Sequence, residues 1–498
     1  MALRRLFLPA LVTVLALALP AVPAPTSPVH LGPLELAQNF QLVGHVPLMN
    51  RGMNAALAVK GNYAYVGSRT DAKPWGTTLN LNHAGVMVVD VSDPASPHVV
   101  NEIGPPNEAN EGETSRELRI WPQQNLLIVE NLGSNCSDII HECSPRIVND
   151  NFRFYDISGA NAAAPKLVST YMPSASPHEF YLWADPFIPD RALMFISSPA
   201  TGRLLVTDIS GARQGTFREL GSQSRMVPSG NLHSLSLSND GFRGYMAHLT
   251  GGFFVTDTSE YINDVASPRT RLVTPAANRV SWPGPGAHSA IKLYGQPYAL
   301  VTDEVYGVLL QAVNGGGHGC PWGWVRMIDI SDPTKPKVVA EYKLPQNDPN
   351  FCTTDPPRVS SSWASHNPTL TPDLAFITWH SGGLQAISLK DPTHPIQTGV
   401  YSPDPLPAVL QEDPALSAGQ DKVVMWSYPV IKDGLIYVVD VRNGLYILRY
   451  TGEGAADVSK IGFLEGNSNL GDALLFDPPN PCARNPVPPG YEAQCVTG

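Results

Sequence analysis

The chain has 498 residues, 43% of them hydrophobic and 15% charged, with 48 prolines and 42 glycines. That mix suits many short strands joined by tight turns and disfavours long helices. The formal net charge of −11, with no basic run outside the extreme N-terminus, excludes nucleic acid and anionic membrane surfaces as expected partners.

The first residues, MALRRLFLPALVTVLALALPAVPA, hold two arginines, an apolar core and small residues near Ala24. They read as a secretory signal peptide, residues 1–24, cleaved after about Ala24. A membrane anchor is the competing reading, but proline interrupts the apolar stretch. No later segment reads as a span, so the mature chain is expected to be exported, soluble and monomeric. Six cysteines in an exported chain point to disulfides. Spacing favours Cys136–Cys143, Cys320–Cys352 and Cys482–Cys495 among fifteen possible pairings. Zinc binding is the weaker alternative, because no CxxC pair is present.

From about residue 39 the chain repeats itself every 55–75 residues or so. One recurring element is a strand ending in aspartate and a Ser/Asp/Gly/Pro turn. It appears as VMVVDVSDPASP (86–97), FRFYDISGA (152–160), LLVTDISGA (204–212), FFVTDTSEY (253–261), VRMIDISDPTKP (325–336) and LQAISLKDPTHP (384–395). A further strand usually follows, and a hairpin precedes. The first strands of these hairpins begin near Asn54, Glu117, His178, His233, His288, His366 and Tyr428. Four strands per unit and seven units, with no helical period between them, predict an all-β, seven-bladed β-propeller over residues 39–451. The last unit lacks its outer strand after GLYILRYT (444–451), and NFQLVGHVP (39–47) has the missing form. The N-terminal strand is therefore expected to close the last blade.

Segments such as VMVVDVSDP and VRMIDISDP resemble the LVIVD repeat of exported bacterial propeller proteins. The resemblance covers roughly residues 40–450 and implies the fold; that family has largely no assigned activity, so it implies little chemistry. Two looser analogies exist. Carotenoid oxygenases are similar in placing four propeller histidines around iron, and selenium-binding proteins, including methanethiol oxidases, are similar in being histidine-bearing propellers, with copper implicated in the oxidase.

In a propeller the inner strands line the axis, so equivalent positions converge. His178, His233, His288 and His366 head four successive inner strands and are the candidate metal ligands. Near the far end of the second strands stand His248, Glu304 and His380, the candidate acid/base or supporting groups. Neutral imidazole suits copper, iron and zinc, and copper or iron is favoured here. A satisfied channel histidine is the plainer reading of any one of them, yet four uncharged imidazoles facing one channel are costly without partners.

The loop NGGGHGCPWGW (314–324) is expected to cover a channel mouth or to pack its own tryptophans. The acidic GPPNEANEGETSREL (104–118) reads as a solvated loop lacking calcium-loop spacing. The proline-rich tail, 452–498, is expected to pack on the outside of the propeller or to stay partly mobile. Together these features favour a metal-dependent oxidoreductase acting on a small molecule. The alternative is a non-catalytic propeller that binds an extracellular ligand or protein.

Overall fold

The computed structural model describes residues 36–69, 83–105, 114–132, 150–199, 201–224, 226–228, 230–283, 286–304, 323–351, 362–413 and 416–495. The expected signal peptide, the pairings Cys136–Cys143 and Cys320–Cys352, and most of 314–324 lie outside the described residues. Cys482–Cys495 is a disulfide, with an S–S distance of 2.06 Å.

The fold is a β-propeller of antiparallel sheets. The first two four-stranded sets are Asn54–Lys60, Tyr63–Ser68, Val86–Asp90, His98–Ile103 and Thr114–Trp121, Leu126–Leu132, Asn151–Asp156, Lys166–Tyr171. They are joined edge to edge through Ser68 and Ser115. The third is Glu179–Ala184, Ala192–Ser198, Arg203–Asp208 and Arg218–Ser224. The fourth is Ser234–Leu237, Arg243–Ala247, Phe253–Asp257 and Arg271–Leu272, and the fifth Ala287–Lys292, Tyr298–Asp303, Val325–Asp329 and Lys337–Tyr342. A sixth sheet runs Pro368–Leu370, Leu374–Thr378, Leu384–Ser388, Ile396–Ser402, with Leu36–Gln38 added on its outer edge. The last comprises Val430–Lys432, Leu435–Asp440 and Gly444–Tyr450. Phe40–Val46 pairs with Gly444–Tyr450, so an N-terminal strand completes the last sheet.

The repeated turn has a local cause. At the end of four of the third strands an aspartate accepts a hydrogen bond from the backbone N–H two residues on: Asp90 from Ser92 (2.8 Å), Asp208 from Ser210 (2.9 Å), Asp257 from Ser259 (2.9 Å) and Asp329 from Ser331 (2.8 Å). The side chain thus stands in for a backbone acceptor and turns the chain toward the outer strand.

Second strands such as Ala192–Ser198 are buried along their whole length, whereas outer strands such as Lys166–Tyr171 are largely open. Such runs are apolar because sheets stack on both of their faces, and the core lies between neighbouring sheets. Trp121, Ile128 and Phe154 meet Phe180, Leu182 and Ile196. The last and first sheets pack in the same way, Leu445 and Ile447 against Leu57, Met87 and Val89, which closes the ring.

The tail does not lie outside, contrary to the sequence expectation. It crosses the ends of the inner strands remote from the histidines. Phe463–Leu464 pairs beside Val430–Lys432. The Leu182 N–H donates to the Asn467 carbonyl (3.2 Å), and the Asn469 amide both accepts from and donates to the Ala184 backbone (2.9 and 2.8 Å). Arg484 forks onto the buried Asp185 carboxylate at 2.9 and 2.8 Å. Strand ends carry unmet backbone groups, and the tail's amides meet them. No helix among the described residues is long and apolar enough to cross a membrane.

Candidate metal centre

Three of the four strand-head histidines occupy one backbone register. The N–H of His178 donates to Ser197 (2.9 Å), that of His233 to Ala247 (3.0 Å) and that of His366 to Thr378 (2.9 Å), each acceptor being a carbonyl of the second strand in the same sheet. His288 sits in an irregular stretch, where the pairing shifts between Ala287 and Ala290. The fold sets the four imidazoles side by side. His178 Nε2 is 2.8 Å from His233 Nε2, and ring centroids follow at 4.1 Å (His233–His288) and 4.4 Å (His288–His366). His380 extends the arc, 4.8 Å from His366.

Glu304 is the hub of this arc. Its Oε2 lies 3.2 Å from His288 Nε2, and its Oε1 lies 3.1 Å from both His366 Nε2 and His380 Nε2. The neighbouring residue anchors it. Asp303 takes hydrogen bonds from Arg326 (2.7 Å) and Trp282 (2.9 Å). Gly323 passes so near that an added Cβ would meet the Asp303 carbonyl oxygen at 1.8 Å, so any side chain there would displace the Glu304 backbone.

Hydrogen bonds fix which ring nitrogens face the hub. His366 Nδ1 is 2.6 Å from the Trp426 carbonyl oxygen, which can only accept, so Nδ1 carries the proton and Nε2 presents a lone pair. The Asn367 amide nitrogen also donates to Trp426 O (3.2 Å), leaving its Oδ1 to accept from Ser289 Oγ (3.2 Å). Ser289 Oγ also lies 3.2 Å from the Tyr428 hydroxyl and 2.8 Å from His288 Nδ1, and when it donates to Asn367 it accepts from that nitrogen. In that arrangement both neutral rings aim Nε2 lone pairs at the same carboxylate.

Burial holds His233, His288, His366 and His380 below the ordinary histidine range. Burial opposes the charge on Glu304, and positive charge or donated protons beside it, from His366 and His288 or from a cation among them, are what would draw its carboxyl well below the usual carboxylate range. Neutral imidazoles around an anionic carboxylate make a ready cation seat. Two donor sets meet its geometric demand, His233–His288–Glu304 and Glu304–His366–His380, each with donor atoms within 4.8 Å of one another.

Of the residues singled out in the sequence, Glu304 and His380 thus stand among the potential ligands rather than behind them. His178 adjoins His233 at the more exposed end of the arc, and neither His178 nor His248 belongs to either donor set. His248 rests near Phe254, ring centroids 5.6 Å apart. The reason is a one-residue offset. The two matching turns read His248-Leu249-Thr250-Gly251-Gly252 and Trp379-His380-Ser381-Gly382-Gly383. His248 N donates to Gly252 O (2.9 Å) just as Trp379 N donates to Gly383 O (2.8 Å), so Leu249, not His248, is the counterpart of His380. Both counterparts have positive φ, 39° at Leu249 and 29° at His380. In a strand period of two, one step turns a side chain to the other face.

Sequence reasoning missed Trp426, Ser289 and Asn367 as orienting groups. The repeated His-Ser and His-Asn steps at 233–234, 288–289 and 366–367 were the available signal. On the opposite side of the axis, Glu117 and Glu130 face each other across paired strands, with Arg119 2.9 Å from Glu117. Burial first, then Glu117 and Glu179, push the Glu130 carboxyl well up.

The chain carries three LVIVD repeats, at residues 51–71, 81–103 and 324–343. The looser likeness to selenium-binding propellers gains no family match, and no curated protein matches the chain. Among solved structures it is similar to Sqt1 from Chaetomium thermophilum, with 12% identity over 82% of this chain and 86% of that one at a TM-score of 0.45. It is also similar to the same organism's Sqt1 bound to the N-terminus of the ribosomal protein L10, with 12% identity over 81% and 89% at a TM-score of 0.44.

Proposed function

We propose that this LVIVD-repeat chain is an exported, seven-bladed β-propeller whose axial histidine–glutamate cluster holds a transition metal, copper or iron ahead of zinc. We further propose that the metal serves an oxidoreductase reaction on a small molecule. The seven-blade reading is supported by the inner strands, which neighbour one another in turn from Asn54–Lys60 to Pro368–Leu370, with Val430–Lys432 returning against the first.

The observation that carries the metal reading is Glu304 within 3.1–3.2 Å of three imidazole Nε2 atoms. Lone pairs at His288 and His366 would repel the carboxylate unless a cation lies among them. Two ligands bound at ~2.0–2.1 Å to one ion sit roughly 2.9–3.4 Å apart, which matches these separations. Imidazole nitrogen with a single carboxylate suits copper, iron or zinc better than calcium or magnesium. When bound, such a metal would polarise a ligand or exchange electrons with it. The protein would hold the imidazoles in one tautomer and exclude bulk water.

The test is elemental mass spectrometry on protein purified without a histidine tag, beside the His233→Ala/His288→Ala variant. At least one metal ion per chain in wild type, with less in the variant, is expected. Wild type that stays empty after reconstitution with copper, iron and zinc would contradict the proposal. The alternative, a propeller that binds an extracellular ligand without catalysis, draws on the depth of the cluster: His233, His288, His366 and His380 are 3% exposed or less. Oxidase turnover by the loaded protein that the double variant lacks would decide against it.

A further inference from the structure

We infer that the centre takes two metal ions, one held by His233, His288 and Glu304 Oε2, the other by His366, His380 and Glu304 Oε1, with the carboxylate bridging them. This rests on the metal reading above and goes beyond it in nuclearity and in the class of metal chemistry the site can perform.

The first support is how the carboxylate is shared. Its two oxygens face different partners, Oε2 toward His288 at 3.2 Å and Oε1 toward His366 and His380 at 3.1 Å each. A single ion gripping Glu304 would draw all the imidazoles to one side of it; here they divide between its two ends.

The second support is how the donors group. They fall into two sets of three that have only Glu304 in common, each set gathered within 4.8 Å. Bonds of ~2.1 Å let one ion reach donors no more than about 4.2 Å apart, so each set closes on an ion with a small inward shift of its side chains. A carboxylate that binds through both oxygens suits a pair of ions about 3.5–4 Å apart.

The third is the chemistry of each set. Two imidazoles and one carboxylate oxygen make three protein ligands, leaving open positions on each ion. The orienting bonds already described serve one ring of each set: Ser289 turns Nε2 of His288 toward Oε2, and the Trp426 carbonyl turns Nε2 of His366 toward Oε1. Open positions on two adjacent ions would let a small oxygen-containing ligand bridge and be polarised by both.

The test uses metal-free full-length protein titrated with cobalt(II). Bound cobalt is counted by elemental mass spectrometry after desalting, and the integrated EPR intensity of the loaded protein is recorded. Wild type should bind two cobalt ions per chain, with an intensity below that of two isolated ions because the bridge couples them. His233→Ala and His380→Ala should each retain about one ion and lose the coupling, with circular dichroism reporting whether they fold. Saturation of wild type at one ion, or two ions with full uncoupled intensity, would overturn the two-ion assignment while leaving a metal site. No uptake at all would overturn both readings. The wild-type count and intensity decide the matter even if a variant fails to fold.

Discussion

The carbonyl oxygen of Trp426 lies 2.6 Å from Nδ1 of His366, and the two rings tilt against each other at 4.9 Å between centroids. This contact, between neighbouring sheets, sets the direction of the whole site. A backbone acceptor cannot change its role, so it forces the imidazole proton to the outside and the lone pair toward Glu304. In metal-free protein near pH 7.5, nitrogen-15 NMR should find His366 neutral and protonated at Nδ1. A proton on Nε2 would contradict this tautomer.

The offset between the two Gly-Gly turns separates two histidines that look alike in sequence. His380→Ala should weaken metal binding by well over tenfold, since loss of even an outer partner typically costs about 10–100-fold. His248→Ala should leave affinity for the metal within about twofold of wild type. Competition against a chelator measures both. Equal losses in the two variants would restore His248 to the site.

Asp440 gives a pH signature away from the cluster. Burial, outweighing the hydrogen bonds from the Asn443, Val424 and Arg442 amides, pushes its carboxyl up to about 6. The folded chain therefore holds this proton more tightly than the unfolded chain does. The group costs nothing below about pH 4, and its cost grows as pH rises to about 6, at about 1.4 kcal/mol per pKa unit. Asp440→Asn should show a shallower fall in stability across that window. Below about pH 4 it should be less stable by about 1–3 kcal/mol, because its NH2 would face the Val424 N–H. Denaturant midpoints from pH 4 to 8 test this, and parallel profiles for the two proteins would contradict it.

The tail is tied down by Arg484 on Asp185, a buried pair that also includes Arg191 at 2.9 Å. Arg484→Ala should cost about 2–3 kcal/mol and open the segment after Phe463 to limited proteolysis, because charged hydrogen bonds are lost while Arg191 still neutralises Asp185. An unchanged melting temperature and cleavage pattern would show that the tail docks by other contacts.

The repeat was legible because its cause is local: the aspartate–serine turn and the strand after it lie within about ten residues of one another. The closing strand was legible for the same reason, since 40–46 repeats the form of other outer strands. Part of the site was legible too, because three of the four strand-head histidines, His178, His233 and His366, make the same backbone contact within their own sheets. What escaped depends on neighbouring sheets or on a single step in register. The Trp426 carbonyl has no side-chain signature, and placing His248 and His380 alike near the far end of a second strand hid the one-residue difference between them. The tail escaped because its amides bind the backbone ends of distant strands, as Asn469 does with Ala184, and such contacts leave no periodic pattern.

Anomalous diffraction from crystals of the metal-loaded protein, collected at the absorption edge of the bound element, tests the metal centre most directly. The expected result is strong anomalous density within about 2.3 Å of a Glu304 oxygen and of imidazole nitrogens from the His233–His288 or His366–His380 pair. Density only elsewhere on the molecule, or none beside Glu304 in fully loaded crystals, would contradict a metal site at the head of the propeller axis.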